Sequence, residues 1–290
     1  MKNIFILLTL ISYSAIALGQ NLQQYTPSIL LSKNQMEIKV FNNIYTQTQI
    51  TNEFGNKIDL GQRQSFLNNQ FRYVYGISEN RRLNAGLEAN YSFSKYSDSA
   101  SGNFDILSSG GASYKHSQLA NIGPTIRFTP IESIGNFSVT STFLFPIKEK
   151  NLESPKFTNH NRYTWWNQIF YDYSITSKWN LFMEVDLLVR FKNSDQQNSF
   201  FRLPVSTFIS YFPSNKLTLY SNLQYAPAFG RLEGFEDSAF GLMRWYTQLG
   251  LGGKYLVTSF LELEASYGKF VASKRDGAGE VFNFGIRIIR

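Results

Sequence analysis

The chain has 290 residues, no cysteine and a formal net charge of +7, and 16% of its residues are aromatic. A chain this rich in Phe, Tyr, Leu and Ile is not starved of apolar surface, which excludes an intrinsically disordered protein. The absence of cysteine excludes a disulfide scaffold and a Cys-ligated metal or iron–sulfur site. The mean hydropathy of −0.24 argues against several long apolar helices.

The N-terminal residues 1–19 predict a secretory signal peptide. One lysine precedes an apolar run that extends to Leu18, and Ala17-Leu18-Gly19 forms a small-x-small cleavage site. The run is shorter than the ~20 residues that a spanning helix needs, which disfavours a membrane anchor. No cysteine follows the run, so a lipid anchor on cysteine is excluded. We therefore expect an exported protein from which residues 1–19 are removed.

Residues 20–34 show no periodic pattern, whereas the chain from residue 35 onward repeats one pattern. Stretches of about ten residues alternate apolar with polar side chains, which is typical of a β-strand with two different faces. Residues 82–96, for example, place Leu83 and Leu87 on one face and Asn84 and Glu88 on the other. The predicted strands are 35–50, 63–77, 82–96, 118–129, 137–147, 163–175, 179–191, 199–212, 216–229, 243–256, 259–271 and 280–290.

The predicted connections alternate between long and short, which places all long loops at one end of an antiparallel sheet. Aromatic residues mark both ends of the strands: Tyr163 and Trp165 lie near a long loop, and Tyr171 and Tyr173 near a short turn. Two aromatic belts around an aliphatic band are typical of a transmembrane barrel. The alternatives are a soluble β-sandwich, which has less regular connections, and a soluble barrel, which would have to fill a wide interior with aromatic rows. The long connections are predicted at 51–62, 97–117, 148–162, 192–198, 230–242 and 272–279.

Over residues 35–290 the chain resembles the outer-membrane β-barrel proteins of Gram-negative bacteria. The end Asn283-Phe284-Gly285-Ile286-Arg287-Ile288 is similar to their C-terminal recognition strand, with Arg290 in place of a terminal aromatic residue. The resemblance implies an all-β fold: a transmembrane antiparallel up-and-down β-barrel of about 12 strands in the outer membrane. It also implies contact with outer-membrane lipid and with the barrel assembly machinery during biogenesis. Residues 20–34 would then be a periplasmic leader or a lumen insert.

In such a barrel the polar face lines the lumen, where acidic and basic residues nearly balance. The register predicts Lys254 beside Glu262 and Glu264 beside Arg287, because opposite charges across strands stabilise a sheet face. The charges could form a constriction that selects solutes, or they could neutralise one another in a plugged or water-filled interior. The charged residues expected to line the lumen are Arg72, Arg127, Asp172, Glu184, Asp186, Arg190, Arg202, Lys254, Glu262, Glu264 and Arg287.

Bulky rings also point inward by parity. They could fill space, which is the simpler role, or stack against sugars and other flat ligands. These residues are Phe66, Trp166, Phe170, Phe182, Phe200, Tyr220 and Tyr246.

No set of residues with catalytic spacing emerges from the sequence. The two histidines, His116 and His160, fall in predicted external loops without a positioned partner, and general acid–base catalysis requires one. No cofactor is implied, and the scattered basic residues do not form a nucleic-acid-binding stripe.

The sequence therefore favours a passive channel or transporter for small solutes and no enzyme. The first alternative is a non-conducting structural or interaction barrel, such as an envelope-assembly factor, a secretion-complex component or a surface receptor. The second is a membrane-embedded hydrolase that uses His116 or His160.

Overall fold

A computed structural model describes residues 30–147, 162–192, 198–231 and 239–290. None of the helices in these ranges is long and apolar enough to cross a membrane. A single 3-10 turn, Asp105–Leu107, joins strands in the described part of the chain. The strands are β1 (Met36–Thr51), β2 (Lys57–Gly76), β3 (Leu83–Asp98), β4 (Ala112–Phe128), β5 (Phe137–Pro146), β6 (Thr164–Ser174), β7 (Trp179–Arg190), β8 (Phe200–Arg202), β9 (Val205–Ser214), β10 (Leu217–Gly230), β11 (Gly241–Leu256), β12 (Leu261–Lys274) and β13 (Glu280–Ile289).

The strands form one closed antiparallel barrel. Each pairs with its neighbours along the chain, and β13 pairs with β1 to close the ring. The segments β8 and β9 together occupy one position between β7 and β10, so the barrel has twelve strands. Closure leaves no free sheet edge, which satisfies backbone hydrogen bonding in a surrounding that offers no water. The predicted fold class is therefore confirmed.

Proline explains why one predicted strand is divided in two. The predicted strand 199–212 is split at Pro204, which has no backbone N–H to donate. The wall stays continuous because Asp186 N donates to Pro204 O and Leu203 N donates to Pro227 O, both at 2.9 Å. The split therefore shortens the ladder without opening the barrel.

Two predicted loops are partly strand. β2 starts at Lys57, inside the predicted loop 51–62, and β4 starts at Ala112, inside the predicted loop 97–117. In the turn between β1 and β2, Asn52 Oδ1 accepts hydrogen bonds from the backbone N–H groups of Phe54 and Asn56. In the first extension Ile58 and Leu60 alternate with Lys57 and Asp59, so the strand pattern and the backbone pairing both begin earlier than predicted.

The two faces of the wall differ as the sequence predicted. Aliphatic side chains such as Leu87, Ile126 and Leu223 point outward and are 53%, 45% and 49% exposed. Polar side chains alternate with them and point inward, where most are buried. We call the end of the barrel with the short connections the turn end and the opposite end the loop end. Outward aromatic residues lie near both ends: Tyr75, Tyr173, Trp179 and Tyr255 at the turn end, and Tyr163, Trp165, Tyr225 and Tyr267 at the loop end.

The loop between β3 and β4 folds back onto the outside of the barrel. Lys95 faces outward, yet its side chain is fully buried beneath this loop. Its Nζ atom lies 2.8 Å from Asp105 Oδ2, donates to Asp105 O at 2.8 Å and donates to Ser108 Oγ at 2.7 Å. Ile106 is buried between these contacts. Phe104 contacts Phe282 on β13, with ring centroids 4.7 Å apart, so the loop spans several strands.

We expect Lys95→Met to release this loop, because the substitution removes every hydrogen bond that the ammonium group donates to it. The expected result is faster chymotrypsin cleavage after Phe104 or Leu107 in detergent-solubilised protein. Lys178→Met, which alters an exposed lysine in a short turn, is the matched control and should leave the rate unchanged. Equal cleavage of all three proteins would contradict the assignment of Lys95 as the anchor.

The same anchor predicts a pH dependence. The hydrogen bond from Lys95 lowers the pKa of the Asp105 carboxyl below its usual value. A lowered folded-state pKa means that the stabilisation is present above the usual pKa of about 4 and is lost as pH falls through the lowered value. Hydrogen exchange of residues 99–111, corrected for the intrinsic rate, should therefore rise at acidic pH. In Asp105→Asn the protection should be weaker at neutral pH and should not change with acidification.

Candidate functional site

Ion pairs between neighbouring strands line the lumen near the turn end. Arg287 Nε donates to Glu37 Oε2 at 2.6 Å, and Arg287 Nη1 lies 4.0 Å from Glu262 Oε1. These charges come from β13, β1 and β12, which the closure of the barrel makes neighbours. We call the whole set the turn-end ion network: Glu37, Lys39, Lys254, Glu262, Glu264 and Arg287.

Lys254 links two acids of this network. Its Nζ atom lies 3.6 Å from Glu262 and 3.7 Å from Glu264. Glu264 also lies 3.8 Å from Lys39 and accepts a hydrogen bond from the Tyr220 hydroxyl at 2.9 Å. The acids thus contact bases on neighbouring strands, so the network connects β1, β11, β12 and β13.

One of the two predicted charge pairs is confirmed and the other is wrong. Lys254 contacts Glu262, as the short turn between their strands predicted. The predicted pair Glu264–Arg287 is replaced, because the β12–β13 register puts Glu262 opposite Arg287 and Glu264 opposite Gly285. A two-residue error in register keeps a side chain on the same face but changes its partner.

A second ion pair lies on β2 and β3, next to the turn-end ion network, since Arg72 is opposite Lys39 in the β1–β2 register. Arg72 Nε and Nη2 both donate to Glu88 Oε2, at 3.0 and 2.7 Å, and Asn90 donates to Glu88 Oε1 at 3.1 Å. Arg127 donates to Ser138 Oγ at 3.2 Å. Both arginines line a small cavity at the turn end, whose walls also include Leu31, Glu37, Val74, Asn84, Thr125, Thr140 and Arg287.

The segment that precedes β1 covers this cavity. Leu30 and Leu31 are only 4% and 7% exposed. The segment is bound to the end of β2, where Asn34 N donates to Gly76 O at 3.0 Å. A Cβ atom at Gly76 would lie 2.0 Å from Ser32 O, so this approach requires glycine. Residues 1–29 lie outside the described ranges, and the signal peptide and the leader or lumen insert stay predictions.

Two acids lie deeper in the lumen, next to each other on β7. Trp166 Nε1 donates to Asp186 Oδ2 at 3.0 Å, and Gln168 Nε2 donates to Glu184 Oε1 at 2.8 Å. Within the described ranges, neither carboxylate has a lysine or arginine within ion-pair distance. This separates them from the acids of the turn-end ion network.

Aromatic rings fill two regions of the lumen. Toward the turn end, Phe170, Phe182, Phe208 and Tyr220 form one buried cluster. Toward the loop end, a second cluster contains Tyr45, Ala226, Tyr246, Phe270 and Val281, with Phe66 packed against it. The inward rings predicted from parity are all buried or half-buried, so they fill space. Phe208 was not predicted, although it has the same parity as Phe200 and Arg202 on that strand.

Arginines gather at the loop end. The guanidinium carbons of Arg162, Arg190 and Arg244 lie 5.4, 5.8 and 5.5 Å from the ring centroid of Phe200. The sequence predicted Arg190 as a lumen residue but placed Arg162 in a loop.

Next to this cluster, Arg202 Nη2 donates to Asp276 Oδ2 at 2.9 Å. Asp276 was not predicted, because it belongs to the loop 272–279. That loop pairs with the barrel wall through the β-bridge between Ile50 and Gly277. The local sequence pattern does not predict this contact.

The register places all eleven predicted charged residues at inward positions. Arg72, Arg127 and the predicted members of the turn-end ion network lie toward the turn end, Glu184 and Asp186 at mid-depth, and Arg190 and Arg202 toward the loop end. Asp172 lies near the end of β6 at the turn end and is half-buried.

The histidine that can be placed is not in an external loop. His116 belongs to β4 and lies opposite Ser94, which puts it on the inward face. Asp105, which the sequence places in the same predicted loop, binds Lys95 on the outer face. The barrel wall therefore separates these two residues. His160 lies outside the described residues.

No protein-family model and no curated protein matches the sequence. Solved structures do match. An outer membrane channel from Pseudomonas putida F1 aligns with a TM-score of 0.65 and 15% identity, over 92% of this chain and 99% of that one.

Two further structures have TM-scores above 0.5. The beta domain of the Bordetella autotransporter BrkA aligns at 0.52 with 11% identity, over 88% of this chain and 99% of that one. The transport unit of the autotransporter AIDA-I from Escherichia coli aligns at 0.51 with 9% identity, over 96% of each chain. At these identities the likeness concerns the fold: the chain is similar in fold to the outer-membrane β-barrels of Gram-negative bacteria.

Proposed function

We propose that this protein is an outer-membrane channel for the passive passage of small polar or charged solutes. The observation that carries the proposal is the composition of the lumen. Acidic and basic side chains from most strands point inward and pair with one another, most densely in the turn-end ion network. A polar interior is what a water-filled passage requires, whereas the outward face is apolar.

The energetics support the same conclusion. Burying paired charges is weak evidence of a stabilising role, because well-packed apolar residues of similar volume often stabilise as much or more. An interior selected only for stability would therefore be expected to hold mainly aliphatic residues. The lumen charges are better explained by contact with water and solutes. This contact would occur when the inward side chains that block the lumen between the turn end and the loop end move aside.

The similarity in fold to the Pseudomonas channel also supports this proposal. In the membrane, the turn end would face the periplasm and the loop end the exterior, and the outward aliphatic band would contact lipid. We further propose that the protein is not an enzyme and that it engages the barrel assembly machinery during biogenesis.

Reconstitution into planar lipid bilayers tests the proposal. The expected result is small, discrete conductance steps, because the inward side chains are largely buried and densely packed. Charge-neutral variants of the turn-end ion network, such as Glu262→Gln, should change ion selectivity. An absence of conductance under all conditions would contradict the channel.

The dense packing of the lumen favours a second candidate function. Phe170 and Phe182 are 1% and 0% exposed, which is the packing of a core. A non-conducting structural or interaction barrel would have such an interior. Intact bilayer resistance, combined with a stable partner recovered by crosslinking in cells, would support this alternative over the channel.

A further inference from the structure

Three oxygen-bearing side chains converge inside the barrel between β6 and β7. Gln168 lies directly opposite Asp186 in the strand register, and Glu184 precedes Asp186 by two residues on the same inward face. The side chains belong to residues that are 3%, 6% and 2% exposed. They are thus held on two adjacent strands, away from the loops.

Each of these residues has an oxygen that accepts no hydrogen bond within the described ranges. These atoms are Asp186 Oδ1, Glu184 Oε2 and Gln168 Oε1. The remaining acceptors are used: Asp186 Oδ2 by Trp166 and Glu184 Oε1 by the Gln168 amide nitrogen. A buried acceptor without a donor is costly, and three in one place call for a ligand that satisfies them together.

The two acids at this place also lack a contact ion pair, and only longer-range attraction from Lys39 and Arg72 acts on them. Acids elsewhere in the lumen lie close to a base: Glu37 to Arg287, Glu88 to Arg72 and Asp276 to Arg202. Glu184 and Asp186 have no such ion pair with any described lysine or arginine. Two neighbouring buried carboxylates therefore repel each other in a region of low dielectric.

We propose that Gln168, Glu184 and Asp186 form a cation site in the lumen and that its ligand is a divalent ion of the Ca²⁺ type. Carboxylate and amide oxygens are hard ligands, which Ca²⁺ binds in irregular arrangements, whereas Mg²⁺ demands near-ideal octahedral geometry. Two negative charges match a divalent ion. The proposal does not depend on whether the barrel conducts.

Terbium luminescence tests the site directly, because Tb³⁺ replaces Ca²⁺ at oxygen sites and is sensitised by a nearby indole. The Trp166 indole is hydrogen-bonded to Asp186, so a bound Tb³⁺ would lie next to it. Detergent-solubilised full chain should show saturable luminescence that Ca²⁺ displaces. Trp166→Phe should abolish the signal while calorimetry still detects Ca²⁺ binding.

Ligand variants give the second arm. Glu184→Gln and Asp186→Asn should each weaken Ca²⁺ binding by at least about tenfold, since each removes a charged ligand. Gln168→Met removes one oxygen without changing the charge and keeps the test valid if an acid variant fails to fold. Glu132→Gln, at an exposed side chain in a turn, is the control.

Two results would overturn the proposal. One is Ca²⁺ affinity that is equal in the unmodified protein, the ligand variants and Glu132→Gln, which would place binding elsewhere. The other is an absence of saturable binding by either ion, together with uptake of one proton by the acid pair, which would show that a shared proton compensates the two carboxylates.

Discussion

Replacing Glu88 with leucine is expected to destabilise the barrel by about 3–5 kcal/mol, because it leaves the Arg72 guanidinium buried without its acid. The Glu88 side chain is fully buried and that of Arg72 is 8% exposed, so water cannot take over the lost contact. Arg72 uses two of its nitrogens on one carboxylate oxygen, which is the strong, charge-assisted form of the interaction.

The companion variant separates the cost of an orphaned charge from the value of the pair. Replacing both residues, Arg72→Met together with Glu88→Leu, removes the charge and its partner at once. Most of the lost stability should then return, because apolar residues of similar volume can replace a buried pair at little cost. The coupling between the two sites is the quantity that a double-mutant cycle measures.

Urea unfolding in detergent, followed by tryptophan fluorescence, supplies the free energies. The exposed pair Arg82–Glu132, with nitrogen and oxygen 3.0 Å apart, is the matched control. Its removal should cost no more than about 1 kcal/mol, as is usual for solvent-exposed pairs. Equal losses at the two pairs, or a double variant as unstable as Glu88→Leu, would contradict the description of Arg72 as a desolvated charge.

The sequence predicted the barrel because one physical rule governs nearly every strand. Each wall residue faces either an apolar surrounding or the polar interior, so side chains must alternate with period two. Strands such as β7, predicted at 179–191 and found at Trp179–Arg190, follow this rule at most positions, with Phe182 and Leu188 as apolar exceptions on the inward face. The starts of β2 and β4 were predicted as loops, although backbone pairing with β1 and β3 extends through them.

The lumen residues were predicted less completely, because parity gives the face of a side chain and not its partner. Arg287 was placed correctly in the lumen, but its acid depends on the exact stagger of β12 against β13. Asp276 was missed because it reaches Arg202 from a loop. The cluster of Gln168, Glu184 and Asp186 could be recognised only from the cross-strand register and the full set of hydrogen bonds.

Weakening the segment that covers the turn end is expected to increase conductance. Leu30 and Leu31 are buried against the barrel, and Leu31 lines the same cavity as Arg72 and Arg127. Leu30→Gly combined with Leu31→Gly should remove about 1.5–3 kcal/mol of apolar burial at each position. The segment would then leave the mouth of the barrel for part of the time, which would open the passage at the turn end.

Single-channel recording distinguishes a cover from a mere structural contact. The double glycine variant should show larger or more frequent open steps than the unmodified protein at the same salt concentration. Ile175→Gly, which alters a 53% exposed side chain in a turn at the same end, is the control for nonspecific loosening. If both variants behave alike, the segment is not a cover. If only the double glycine variant conducts more, the turn end limits the current through the barrel. Removing an obstruction increases the current only when that obstruction is the narrowest part of the passage.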